Sequence, residues 1–247
     1  MRLRTLTFFI FLSTGLAIQA QSVDQLINKN LEAMGGLPRL MYTDNITFIG
    51  SVTIRQGNNS REFIFSQVMT KEGKMLFQLM NKLGSVVNMQ GFDGVNAWVG
   101  TKAQSVLMKG DARLDFIHNA FLTRFIERDK YAQGVKFGSR NELETELIMT
   151  DLLDRKTTLT LDNSTGQIIK ETYRDLQGNF HVIRNSDFKS FDGLILPKRT
   201  RASQLPRCEG CSDEEKKSKI VNMSYVVDNV IVNASGIDPK MFERPGG

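Results

Sequence analysis

From Asn45 onward, short runs with apolar residues at every second position are separated by glycine-bearing turns, and this succession restricts the chain more than anything else in it. Ile46, Phe48, Val52 and Ile54 fall on one parity, Phe63, Phe65 and Met69 on the next run, then Met75, Phe77 and Leu79. The linkers "RQGNNS", "TKEGK" and "NKLGS" are too short for parallel crossovers, which need a dozen or more residues, so neighbouring strands must run antiparallel in a meander. The pattern resumes after Leu143 in "RKTTLTL", "QIIKETYRD", "FHVIRNSDF" and "LILPKRTRA", and "IVNMSYVVDNVIVN" reads as a final strand pair. Roughly ten or eleven strands result, more than a flat open sheet usually carries without curling. Ile64 and Val68 oppose Phe63 and Phe65 in parity, so both faces of the sheet should be partly covered. The expected fold class is mainly β with a few helices (α+β): a curled antiparallel sheet of about ten or eleven strands with an N-terminal helix.

Two segments carry a helical period instead. In "VDQLINKNLEAM", Val23, Leu26, Ile27, Leu31 and Met34 lie close to a 3.6-residue spacing, and Gly35-Gly36 is a natural stop. In "DARLDFIHNAFLTRFIERDKYAQ", residues 111–133, Leu114, Ile117, Phe121, Leu122 and Phe125 form one face, which Phe116 and Ile126 widen beyond the needs of a one-sided surface helix. Two readings fit these residues equally: a core helix plugging one mouth of the sheet, or a lid that moves aside for an apolar ligand.

The first twenty residues, "MRLRTLTFFIFLSTGLAIQA", combine Arg2 and Arg4 with a short apolar core and small residues near a cut after Ala20, or alternatively after Ala17. They read as a secretory signal peptide, too short in its apolar run to span a bilayer. No cysteine follows either cut for acylation, so the expectation is a soluble exported protein, with residues 21–247 forming one domain. The formal charge falls from +5 to +3 once Arg2 and Arg4 leave. The basic run "PKRTR" has no interleaved aromatics and the acidic "SDEEKKSK" follows it, so nucleic acid is not an expected partner.

Catalytic signatures are missing: HExxH, GxSxG, GxxxxGK[ST] and GxGxxG do not occur. The two histidines are His118, read as a packed helix residue, and His181, read as exposed at a strand start. Asp93 and Asp192 belong to "FDG" turns, where a short carboxylate caps its own backbone. No enzyme activity, cofactor or metal is expected. Cys208 and Cys211 in "PRCEGCSDEE" read as a disulfide loop staple, since Gly210 allows a tight loop and an exported protein meets oxidising conditions. A metal half-site, redox chemistry and free thiols are the other readings of the pair. In "GFDGVNAWVG", alternation puts Trp98 and Asn96 on one face and Val95, Ala97 and Val99 on the other. Trp98 is expected on the inner wall of the curled sheet, the alternative being a simple core tryptophan.

The segments "NLEAMGGLPRL", "GFDGVNAWVG", "SDFKSFDGLILPKR" and "GIDPKMFERPGG", spread from residue 30 to 247, together resemble the periplasmic lipoprotein carrier (LolA-like) family and its relatives, the outer-membrane lipoprotein-sorting proteins. The resemblance implies an incomplete antiparallel β-barrel (half-barrel) with an N-terminal helix and a helical lid over a hydrophobic cavity. Such a carrier takes acyl chains of lipoproteins or lipid from an inner-membrane exporter to an outer-membrane acceptor, as a monomer in the periplasm. Phe65, Phe77 and Trp98, with Leu114, Ile117, Phe121, Leu122 and Phe125 of the helical segment, are the expected lining of cavity and lid. The alternative is a module of the same fold that binds protein or senses lipid. One departure bears on the lid: carriers often place an Arg-Pro pair on an early strand to hold the lid closed, whereas this chain has Lys71 and Glu72 in "VMTKEGKMLF" and no proline.

Overall fold

The structure, a computed structural model, describes residues 22–118, 125–126 and 132–245. Among them, thirteen strands build one antiparallel sheet. These are β1 (Asn45–Gln56), β2 (Asn59–Thr70), β3 (Met75–Met80), β4 (Val86–Phe92), β5 (Ala97–Gly100), β6 (Ser105–Leu107), β7 (Ala132–Arg140), β8 (Glu144–Asp151), β9 (Lys156–Asp162), β10 (Ile168–Arg174), β11 (Phe180–Phe191), β12 (Leu194–Leu205) and β13 (Val221–Val232). Their order across the sheet is β6-β5-β4-β3-β2-β1-β13-β12-β11-β10-β9-β8-β7. Every neighbour pair but one is consecutive in sequence. The exception, β1 against β13, joins two meanders into a single sheet and leaves β6 and β7 as its free edges. The expected fold class is borne out: a curled, unclosed antiparallel sheet with a few helices.

The strand count exceeds the sequence expectation for an identifiable reason. β6 is three residues long, and β7 is an edge strand whose residues are mostly exposed, so neither leaves a period-2 signal. Conversely, "IVNMSYVVDNVIVN" is one strand, not a pair. A register shift opposite Ile49 and Gly50 lets apolar residues of both parities occur along it. Gly50 is needed at that seam, because a Cβ there would overlap the Val226 carbonyl and press on the Phe65 ring.

The N-terminal helix forms as its spacing predicts. α1 (Val23–Ala33) opens with a capping box between Ser22 and Gln25 and buries Leu26, Ile27 and Leu31. Gly35 and Gly36 then take positive φ of 116° and 88°, a conformation other residues rarely adopt, and α2 (Leu37–Met41) follows with Pro38 in its first turn. Leu26, Ile27 and Leu31 join one apolar cluster with Ile46, Val52, Phe65 and Met75 from one half of the sheet and Leu147, Leu159 and Leu161 from the other. A flat sheet could not bring both halves onto one short helix, so the sheet curls around α1, and that face is the inner one.

Polar contacts hold α1 to the β9–β10 turn. The Asn30 amide, 1% exposed, donates to the Gly166 carbonyl at 2.9 Å, and Lys29 Nζ donates to the Asn163 carbonyl. Asn30→Ala leaves a buried carbonyl without its donor, and we expect it to lower stability by about 1–3 kcal/mol. Urea unfolding of the two proteins checks this.

Candidate functional site: the inner face of the sheet

Strand register settles which side chains face inward. The cross-strand pairs Gly50 with Phe65, Phe65 with Leu79, and Val52 with Tyr225 put Ile54, Phe63, Phe65, Phe77, Leu79, Met223 and Tyr225 on the face that carries α1. Phe65 is buried, with Phe77 stacked at 6.2 Å between ring centroids and Tyr225 edge-on at 5.5 Å. Phe63, Phe77, Leu79, Met223 and Tyr225 stay only partly buried although they pack on the core. The Tyr225 hydroxyl reaches Met223 Sδ at 3.3 Å, and burial pushes its pKa up to about 12, so it stays a neutral member of an apolar wall.

Two cavities open along this face. One, of about 250 Å³, lies at the α1 end between Leu31, Met34, Phe125, Leu159, Ile168 and Leu196. The other, of about 620 Å³, lies at the opposite end of the first meander, where Ile54, Phe63, Leu79 and Val87 meet the polar rim of Gln56, Asn59, Arg61 and Asn88. An apolar wall with a polar mouth suits the apolar tail of an amphiphile.

α3 (Gly110–His118) lies between the two free edges in sequence and is fastened to both halves of the sheet. Arg113 Nη2 donates to the Val95 carbonyl in the β4–β5 turn at 2.8 Å. On the other half, Asp115 pairs with Arg155 of the β8–β9 turn, and its second oxygen accepts from the Leu176 amide in the β10–β11 turn at 3.3 Å. Arg155, its side chain 8% exposed, also holds Asp151 at 2.7 Å. The two carboxyls respond differently. Burial pushes the Asp115 carboxyl above the usual aspartate value, outweighing the pull of Arg155, with the charge of Asp175 adding to the rise. For Asp151, burial also pushes upward, but hydrogen bonds from Arg155 and the Leu153 amide win and hold it below that value.

Several expected site residues come together here and others do not. Phe65 and Phe77 lie on the inner face, and Phe125 is buried against the smaller cavity. Ile117 packs partly buried on the core, as does Phe116, whereas Leu114 is half-buried away from that cluster. Phe121 and Leu122 lie outside the described residues. So do residues 1–20, expected to be a signal peptide, and the His118 side chain. Lys71, at the place of the expected early-strand arginine, donates to the Met41 carbonyl at 2.7 Å and so holds α2, not α3. His181 is not exposed: its imidazole contacts Asp175 at 2.8 Å and stacks on Tyr173 at 4.6 Å. Asp93 does cap its turn, accepting from the Val95 and Asn96 amides at 2.7 and 2.6 Å. Cys208 and Cys211 are bonded to each other.

Trp98 requires a correction. It pairs with Gly91, and both lie opposite in parity to Ala97 and Phe92, which face inward. Trp98 therefore belongs to the outer face, where Val68, Leu76, Met89 and Phe242 bury it completely. Its indole N–H donates to the Phe242 carbonyl at 2.8 Å, and a Cβ on Gly91 would overlap the ring. The cover is the chain's own C-terminal segment, whose 3-10 turn Pro239–Phe242 lies across β3 and β5. Alternation placed the residue correctly relative to its neighbours. What was missed is that the C-terminal segment provides a second core on the far side, 144 residues away in sequence.

No protein-family model and no curated protein matches the sequence. Similarity is evident in three-dimensional structure. A DUF1329 family protein from Desulfovibrio piger aligns over 90% of this chain and 97% of its own, with TM-score 0.57 and 13% identity. A LolA superfamily protein from Nitrosomonas europaea gives the same coverage, score and identity. The domain of an outer membrane lipoprotein-sorting protein from Vibrio parahaemolyticus aligns over 88% of this chain and 97% of its own, with TM-score 0.57 and 11% identity. Alignment of nearly the whole of each neighbour shows that this chain shares their fold, here a curled antiparallel sheet around an apolar face.

Proposed function

We propose that this protein is an exported carrier that holds acyl chains of lipids or lipoproteins against the inner face of its sheet and moves them across the periplasm toward the outer membrane. The observation that carries the reading is the row Phe63, Phe77, Leu79, Met223 and Tyr225, which lines the inner face without being fully buried. Apolar side chains left accessible inside a curved sheet gain about 25 cal/mol per Å² when a guest covers them. The lipoprotein-sorting and LolA superfamily neighbours support the same reading by fold. Among the described residues there is no helix long and apolar enough to cross a membrane, and no cluster of three or more metal-ligating side chains. In this reading α3 is the lid, and a guest enters between the two halves of the sheet when the contacts of Asp115 are given up.

The test is binding of a fluorescent palmitoyl probe to the wild type and to Leu79→Glu. Leu79 is only partly buried, so the carboxylate reaches water in the free protein and the fold tolerates it. In the complex it faces the chain, and we expect loss of about 1.5–3 kcal/mol of apolar contact, roughly ten- to a hundredfold in affinity. Equal binding by both proteins excludes the inner face as the site, and absence of binding by the wild type excludes the carrier.

A further inference from the structure

The loop between β12 and β13 contains features that acyl-chain binding does not use. It carries the Cys208–Cys211 disulfide, which spans Glu209 and Gly210, with Cα atoms 5.6 Å apart. It lies at the same end of the sheet as the larger cavity, next to the turn of the β1–β2 hairpin: the Ser218 carbonyl is the nearest neighbour of Gly57. Directly after Cys211, Ser212 and Glu215 form a capping box that starts α4 (Asp213–Lys219), and α4 brings Lys219 back onto the cysteines. The Lys219 ammonium is 3.4 Å from Cys208 Sγ and 3.5 Å from Cys211 Sγ. Of the neighbouring charges, Glu209 is engaged by Arg207, Asp213 by Lys216 and Glu215 by Ser212.

We propose that Cys208 and Cys211 form a redox-active pair that exchanges with a dithiol reductant, and that Lys219 stabilises the departing thiolate. Three observations support this beyond the role of a staple. A cross-link enclosing two residues removes little entropy from the unfolded chain, so its contribution to stability is small. A cation beside a thiol lowers its pKa and makes it a better leaving group, and here one ammonium serves both sulfurs. The loop is at the surface: both cysteines are partly accessible and their neighbours from Glu209 to Lys219 are otherwise exposed. In the exchange, a thiolate of the reductant attacks one sulfur, and the Cys208–Cys211 bond breaks. The other sulfur leaves as a thiolate beside Lys219 and takes up a proton. The second thiol of the reductant then resolves the mixed disulfide, releasing the first cysteine as a thiol. Two electrons and two protons pass to the pair, and the reductant leaves as a disulfide.

The experiment equilibrates the folded, oxidised protein in glutathione buffers of graded reduced-to-oxidised ratio, traps thiols with a maleimide and counts adducts by intact mass. We expect the folded protein to be reduced within the range that leaves structural disulfides intact. Lys219→Gln should need a ratio about tenfold more reducing, and Lys219→Arg should restore the wild-type ratio. A second readout is the pH dependence of iodoacetamide alkylation of the reduced protein: its midpoint should lie below the ordinary thiol value of about 8.5 in the wild type and return to it in Lys219→Gln. A purely structural lysine would leave that midpoint unmoved. The proposal is overturned if the disulfide stays oxidised in every glutathione buffer until denaturant is added, or if Lys219→Gln matches the wild type in both measurements.

Discussion

Trp98→Ala should lower the unfolding free energy by about 3–5 kcal/mol while leaving affinity for an acyl probe within about twofold of wild type. The stability loss follows from burial. Trp98 has no exposed surface, and its removal opens a cavity between Leu76, Met89 and Phe242 that the rigid sheet cannot close. It also strands the Phe242 carbonyl, which then has no indole N–H to accept from. The C-terminal turn should detach as a consequence, with faster amide exchange across residues 237–242. The unchanged affinity follows from geometry. Trp98 and the inner wall lie on opposite faces of the same strands, and side chains on one face of a sheet do not reach the other. Had the tryptophan lined the cavity, affinity and stability would fall together. Denaturant unfolding and probe titration on the same preparation separate the two outcomes.

Arg155→Met should cost about 3–5 kcal/mol, whereas Asp115→Asn should cost no more than about 1 kcal/mol. Arg155 is the cation shared by the half-buried Asp115 and the buried Asp151. Removing it takes from both carboxylates the cation that they share. Asp115 stands differently, since burial raises the pKa of its carboxyl and makes the charged form less favourable there than in water. The sign of the linkage agrees. A carboxyl whose pKa is raised on folding binds its proton more tightly in the folded state, so neutralising it removes no stabilisation at neutral pH. With Asn at 115 the single carbonyl oxygen can still accept from Arg155, and the amide nitrogen, which cannot accept, gives up only the long bond from the Leu176 amide. For the lid reading there is a further consequence: Asp115→Asn should weaken the hold on α3 without unfolding the sheet. Acyl probe should therefore enter faster by stopped-flow while the thermal midpoint scarcely moves. Equal stability costs for the two substitutions would refute this division of roles.

The chain shows its fold plainly where one face is buried and the other is not. The parity of Ile46, Phe48, Val52 and Ile54 places β1, and the spacing of Leu26, Ile27 and Leu31 places α1, because a single burial environment per side chain leaves a periodic trace. β6 and β7 leave no such trace, because edge strands bury little on either face. Trp98 was misplaced for a related reason. The residues of β3 to β5 are apolar on both parities, and only the return of the C-terminal segment, invisible to local periodicity, decides which side holds which core. The contacts of α3 were hidden as well. Asp115, Arg155 and Leu176 are far apart in sequence and of ordinary residue types, and only the curl of the sheet brings their turns to one helix. Phe63, Leu79, Met223 and Tyr225 carried a signal that could have been used: they share parity with Phe65 and Phe77 once β1 is paired with both β2 and β13.

The central claim is that a guest's acyl chain lies along the inner face, and photocrosslinking tests it most directly. A palmitoyl probe with a diazirine midway along the chain is bound to the wild-type protein, irradiated, and its adducts are mapped by peptide mass spectrometry. About 0.8 kcal/mol per buried methylene is available to hold the chain against this wall, enough in total to localise it. We expect adducts on peptides containing Phe63, Phe77, Leu79 and Tyr225, reduced in Leu79→Glu and unchanged in Trp98→Ala. Adducts confined to peptides containing Trp98 or Phe242, or none above the level of a control globular protein, would contradict the account.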